Sequence, residues 1–166
     1  AATGGDQALR STVSVTIGST GKLLLQSSDQ VRDNAGITLS GGTIQRASGV
    51  SEVFGNLNLT TASFLDYGTG DAGTLRFGTY TPSSLLTVQN FLPGNKLQFG
   101  STLTEAQLSN PTLFSFSSGF TTGTEDGFFT ITAIPEPSTY VVAAGLAAML
   151  LWSLRRRCRK CPAGRA

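Results

Sequence analysis

The sequence predicts an all-β fold: an irregular parallel β-helix (β-solenoid) over residues 1–133, followed by a single C-terminal transmembrane helix over residues 140–154. Three observations carry this reading. Short apolar segments recur along the body. Gly, Asn, Ser and Asp separate them. A run of fifteen uncharged residues, Tyr140–Leu154, then stands directly before a basic cluster. A β-sandwich with similarly short strands is the alternative for the body.

Composition points the same way. Charged residues make up 13% and hydrophobic residues 39% of the chain. A disordered chain carries fewer apolar residues and more charge. Thr, Val, Ile and Phe with frequent Gly favour strands and tight turns.

The elements follow in chain order. Val13, Val15 and Ile17 alternate with Thr12, Ser14 and Thr16, which gives a strand one apolar face. Apolar segments then recur at Leu23–Leu25, Ile37–Leu39, Thr43–Gln45, Val53–Phe54, Leu57–Leu59, Phe64–Leu65, Leu75–Phe77, Leu85–Val88 and Leu97–Phe99. Turn formers lie between them, as in Gly18-Ser19-Thr20-Gly21 and Asn34-Ala35-Gly36. Strands this short suit stacked rungs rather than a large open sheet. No strictly equal repeat is visible, so the expected rung length is irregular. A short helix is predicted over Thr102–Ser109. Thr102 and Glu105 form its capping box, Leu103, Ala106 and Leu108 face inward, and Pro111 ends it. Phe114, Phe116, Phe128 and Phe129 resume strand-like segments, and residues 102–132 are expected to cap the solenoid.

Charge divides the chain. The formal net charge is +2, yet residues 1–134 hold six basic and nine acidic side chains. The last twelve residues hold six basic groups and no acidic one. The basic character therefore belongs to the tail and predicts no nucleic-acid partner, which would require a basic folded face. Histidine is absent, which removes the commonest general base and zinc ligand. Cys158 and Cys161 form a lone CxxC in the tail and read as incidental thiols, with membrane-side acylation as the functional rival. Gly68-Thr69-Gly70-Asp71 resembles one calcium turn of a glycine-rich β-roll, but such sites need stacked copies. The pairs Asp29/Asp33 and Asp66/Asp71 read as solvated turn carboxylates rather than a glycosidase acid and base. The Asn58-Leu59-Thr60 sequon carries little weight. The expectation is a protein that is not an enzyme, with no catalytic residues, no metal and no cofactor. A carbohydrate-binding or polysaccharide-degrading β-helix is the alternative. It would need acidic, Lys or Arg residues converging in one groove with aromatic neighbours.

The tail is the most specific feature. Ile134-Pro135-Glu136-Pro137-Ser138-Thr139 forms an extended linker over 134–139, because each proline fixes φ and pushes the preceding residue out of the helical region. Ser138 or Thr139 then caps the apolar helix. At about 1.5 Å per residue that helix spans roughly 22 Å, short of a hydrocarbon core of about 30 Å. Tyr140 and Trp152 stand at its ends as interfacial aromatics do. Arg155, Arg156, Arg157, Arg159 and Lys160 in the basic segment 155–166 stay cytoplasmic by the positive-inside rule. A buried core helix, a permanent tail anchor and a transient sorting signal are the three readings of the run.

The order Pro135-Glu136-Pro137, apolar run, basic cluster closely resembles the PEP-CTERM sorting domain of exported bacterial proteins, from Pro135 to about Lys160. The resemblance implies recognition by an exosortase, a membrane-embedded cysteine protease-transpeptidase, with cleavage near Pro135-Glu136-Pro137. The runs "ITLSGGTIQRASG", "LNLTTASFLDYGTGDAGTLRFG" and "LLTVQNFLPGNKLQFGSTLTEAQLSNPTLFSF" resemble autotransporter-associated β-strand repeats over about residues 36–134. They imply a parallel β-helix with a structural or adhesive role. Together the resemblances imply an inner-membrane stage, a mature form at the cell surface, outer membrane or extracellular matrix, and extracellular polysaccharide as a further candidate partner. The chain starts at Ala1 with no leader-like pattern, inside a repetitive fold, so it is expected to be a piece of a longer protein.

Overall fold

The computed structural model describes Leu9 and residues 11–135. The described body is all-β, with strands β1 (Ser14–Gly18), β2 (Lys22–Leu25), β3 (Gly36–Ser40), β4 (Thr43–Arg46), β5 (Glu52–Phe54), β6 (Leu57–Thr61), β7 (Ser63–Asp66), β8 (Thr74–Phe77), β9 (Leu86–Gln89), β10 (Lys96–Phe99), β11 (Phe114–Phe116), β12 (Phe120–Glu125) and β13 (Phe128–Ala133). Every apolar segment expected between Leu23 and Phe99 falls on one of them.

The strands stack into three sheets, ordered β1-β3-β6, β2-β4-β7-β9-β11 and β12-β13-β10-β8-β5. The chain visits them in rotation. From β1 to β11 every pairing is parallel, between strands one rung apart, and gives a β-solenoid of about four turns; only the last two strands, β12 and β13, pair antiparallel. Parallel pairing requires a long connection, and the rest of the rung supplies it. A sandwich would place antiparallel neighbours side by side, so that alternative falls. Rung length is more even than expected. Ser14 pairs with Gly36, Thr43 with Phe64, Ser63 with Leu86 and Thr74 with Lys96, so successive rungs take up nearly the same length of chain. The step from Leu86 to Phe114 is longer, and its excess contains the helix α1 (Glu105–Leu108).

Alternation along the short strands fills the interior. Ile17, Leu39 and Leu59 are in register and buried, as are Leu75, Leu97 and Ile131. A ladder of rings runs through the third sheet. Phe77 lies 5.1 Å from Phe54 and 5.8 Å from Phe99, stacked on both. Each of these phenylalanines precedes a glycine at the corner, and there the rungs approach closely. A Cβ on Gly55 would lie 2.6 Å from the carbonyl oxygen of Asn34. Phe-Gly at 54–55, 77–78 and 99–100 is thus a true repeat, one copy to each rung.

Another corner holds a buried cation. Arg46 is 1% exposed. Its guanidinium donates to the carbonyl oxygens of Ala47 (2.9 Å) and Asp71 (3.1 Å) and to Asn95 Oδ1. It also lies 5.0 Å from the centre of the Tyr67 ring. Carbonyls and a ring face replace the missing carboxylate, and burial lowers the Arg46 pKa below its ordinary value.

The C-terminal end departs from the expected details. The capping box uses Thr104 and Gln107, not Thr102 and Glu105. Gln107 N donates to Thr104 Oγ1 at 3.2 Å, and Thr104 N donates to Gln107 Oε1 at 2.9 Å. Leu103 and Leu108 are buried as expected, whereas Ala106 is exposed. At the other end the apolar face expected at Val13, Val15 and Ile17 is only partly covered: Ile17 is buried, but Val13 is 71% exposed. Among the described residues no helix is long and apolar enough to cross a membrane. The four-residue α1 is about 6 Å long. The transmembrane helix expected over 140–154 lies outside the described residues, so they give it no support.

Candidate functional site

The outer face of the third sheet borders a groove of about 490 Å³. Its residues come from distant parts of the chain, brought level by rung stacking. Phe54, Phe77 and Phe99 point inward, so Val53, Arg76 and Gln98 point outward and lie side by side. Thr74 and Lys96 form a second outward row. Ser28 and Ser51 line the corner, where Ser51 N donates to Ser28 Oγ and Thr74 N donates to Ser51 Oγ, each at 3.0 Å.

The last hairpin adds Glu125 and Asp126. β13 pairs antiparallel with β10, and β12 with β13. Asp126 (φ 53°) and Gly127 (φ 80°) connect them in a tight turn with both central residues at positive φ. This turn brings its carboxylates onto the cations. Lys96 Nζ lies 2.6 and 2.7 Å from the Glu125 carboxylate oxygens. Arg76 Nη2 lies 3.6 Å from Asp126 Oδ2. Arg76 Nε donates to Gln98 Oε1 at 2.8 Å, and the guanidinium sits 4.3 Å above the Phe128 ring centre. Gln98 is itself buried and donates to Thr130 Oγ1 at 3.1 Å.

Glu52 reaches this groove from the corner and is 1% exposed. Its carboxylate accepts from Gln30 N at 2.8 Å and Val31 N at 3.3 Å. Burial pushes its pKa up to about 7, the backbone donors pull it down, and the nearby charge of Asp29 adds to the rise. Acidic, Lys and Arg side chains thus converge beside an aromatic ring.

The four carboxylates expected to be solvated turn groups fall in different settings. Asp29 lines the groove and Asp33 is exposed away from its lining. Asp66 is mostly buried rather than solvated, because Gln45 Nε2 (2.6 Å), Asn90 Nδ2 (2.8 Å) and Gly68 N (2.9 Å) all donate to it. Asp71 pairs with Ser48 Oγ at 3.1 Å. Among the described residues no three His, Cys, Asp or Glu side chains gather as metal ligands.

The chain leaves the body from β13. Ala133 N donates to Asn95 O and Ile134 N to Gly119 O, each at 3.0 Å. Pro135 follows with no N–H to give, and the pairing stops. The chain divides into two units here, Ala1–Ile134 and Pro135–Ala166. Glu136, Pro137, Tyr140, Trp152, Arg155, Arg156, Arg157, Arg159, Lys160, Cys158 and Cys161 lie outside the described residues. Residues 133–157 match the PEP-CTERM protein-sorting motif. The PEP-CTERM motif indicates an exported, sorted protein processed by an exosortase. It begins on the last residue of β13, with no spacer between the fold and the signal. Neither a curated protein nor a solved structure matches the chain.

Proposed function

We propose that this exported protein is a structural or adhesive component of the cell surface or extracellular matrix, without enzymatic activity, and that its β-solenoid is built from repeats of the autotransporter-associated kind. The observation that carries the reading is a sorting motif joined directly to a β-solenoid. Residues 140–154 cross the inner membrane during sorting, Tyr140 and Trp152 sit at its two interfaces, and the arginine-rich segment stays cytoplasmic. Pro135, Glu136 and Pro137 are the residues the exosortase grips. Mass spectrometry of the mature C-terminus tests this directly. The expected product lacks the apolar run and the basic segment. Pro135→Ala with Pro137→Ala is expected to leave the precursor unprocessed in the membrane. Normal processing of that variant would defeat the sorting role of these residues, and retention of residues 140–166 in the native protein would make the tail a permanent anchor.

A second reading is favoured by the groove. Charged, amide and hydroxyl side chains converge there beside Phe128, as a polysaccharide-binding solenoid face requires. Incubation of the full-length protein with matrix polysaccharide, followed by co-sedimentation and chain-length measurement, separates binding from degradation and from neither.

A further inference from the structure

We propose that the groove on the third sheet binds a neutral, hydroxyl-rich glycan laid along the solenoid axis, an inference that rests on the polysaccharide-binding reading above. Three features of the groove carry it. The first is its direction. Ser28, Ser51 and Thr74 lie on successive rungs, each hydroxyl bonded to the next rung's backbone where the bonds are seen. Neighbouring strands are about 4.8 Å apart. The groove therefore offers polar groups at a regular pitch along one line, suited to an extended polymer rather than a compact ligand.

The second feature is charge. Among the groove's lining residues Asp29, Glu125 and Asp126 supply three carboxylates against two cations, Arg76 and Lys96, while the Glu52 carboxylate is buried against the Gln30 and Val31 backbone amides. Each cation already holds a carboxylate, at 3.6 Å and 2.6 Å respectively. A polyanion would meet a surplus of negative charge with no free cation to offset it. That excludes nucleic acid and uronate-rich glycans as the favoured occupant.

The third feature is the kind of hydrogen bond on offer. Carboxylates only accept, whereas Lys and Arg only donate. Here the two kinds stand side by side, Lys96 with Glu125 and Arg76 with Asp126. A hydroxyl both donates and accepts, so a ligand carrying hydroxyls on every unit satisfies both kinds without a net charge of its own. The volume, about 490 Å³, falls within the range of ligand sites. The polar lining disfavours an apolar occupant.

Isothermal titration of the full chain with cellohexaose, a neutral glycan, and with oligogalacturonate of equal length, an anionic one, tests the proposal. The expected result is binding of cellohexaose and at least tenfold weaker binding of oligogalacturonate. Thr74→Trp, which projects a large side chain into the groove, is expected to weaken cellohexaose binding at least tenfold. Thr87→Trp on the second sheet is expected to leave it unchanged. Thermal unfolding of each variant reports whether it folds. Should Thr74→Trp unfold, Asp126→Ala on the exposed turn serves instead, with at least threefold weakening expected. Tighter binding of oligogalacturonate overturns the neutral-glycan inference and leaves the polysaccharide-binding reading standing. Binding of neither overturns both. Equal weakening by Thr87→Trp, or no weakening by either groove variant, removes the site from this groove.

Discussion

A methyl group on Gly55 has nowhere to go. Its carbon would lie 2.6 Å from Asn34 O, an atom of the neighbouring rung's backbone. Gly55→Ala is expected to cost about 1–3 kcal/mol, read as a lower urea midpoint with an unchanged slope. Phe77, fully buried between two rings, is expected to cost about 3–5 kcal/mol when replaced by alanine. Glu52 makes stability depend on pH in the less common direction for a carboxylate. Its folded pKa, about 7, lies above the ordinary value of 4.5. The folded state therefore holds its proton more tightly than the unfolded state. The contribution is fully present below pH 4.5 and is lost as pH rises through about 7. Urea midpoints are expected to fall as pH rises across that interval, and Glu52→Gln to flatten that part of the profile. No residue pattern announced this group. Glu52 looks like any polar residue at a strand start, and its burial depends on Gln30 and Val31 one rung away.

At the scale of elements, most strands were legible from short apolar segments bounded by turn formers, several with apolar residues at alternate positions, as in β3 (Ile37, Leu39), β6 (Leu57, Leu59), β8 (Leu75, Phe77) and β10 (Leu97, Phe99). β12 was not. Four of its residues, Thr121 to Thr124, are exposed on both faces, so it shows no alternation at all. Its presence was written in the Asp126-Gly127 pair before Phe128, the residues a two-residue hairpin turn prefers. The helix was legible too, but its cap sits two residues further along. Thr102 with Glu105 and Thr104 with Gln107 both satisfy the spacing rule, so spacing alone does not choose between them. The hairpin can be tested at its turn. Gly127 has open space around a Cβ, yet φ is 80°. Gly127→Val is therefore expected to strain the backbone by about 1–3 kcal/mol without a clash. Amide hydrogen exchange should then speed up in β12 and β13 more than in β3.

For the whole molecule, legibility followed contiguity. The sorting signal is one unbroken stretch, so order and composition alone revealed it. The groove draws on side chains from Ser28 to Asp126, and only the nearly constant rung step makes them neighbours. That step could have been read from the Phe-Gly pairs, but small variations in rung length hide it from a search for equal repeats. The net charge misleads for the same reason: the sum for the chain mixes an acidic body with a basic tail.

The pinned end of β13 has one more consequence. Its last residues are held from two sides, by Asn95 O and by Gly119 O. Peptide bonds held in this way resist proteases, which need an extended, free strand to bind. Once the tail is cut, secondary trimming by other proteases should stall at the edge of the fold. The mature protein is then expected to end cleanly, giving a single C-terminal mass instead of a ragged series.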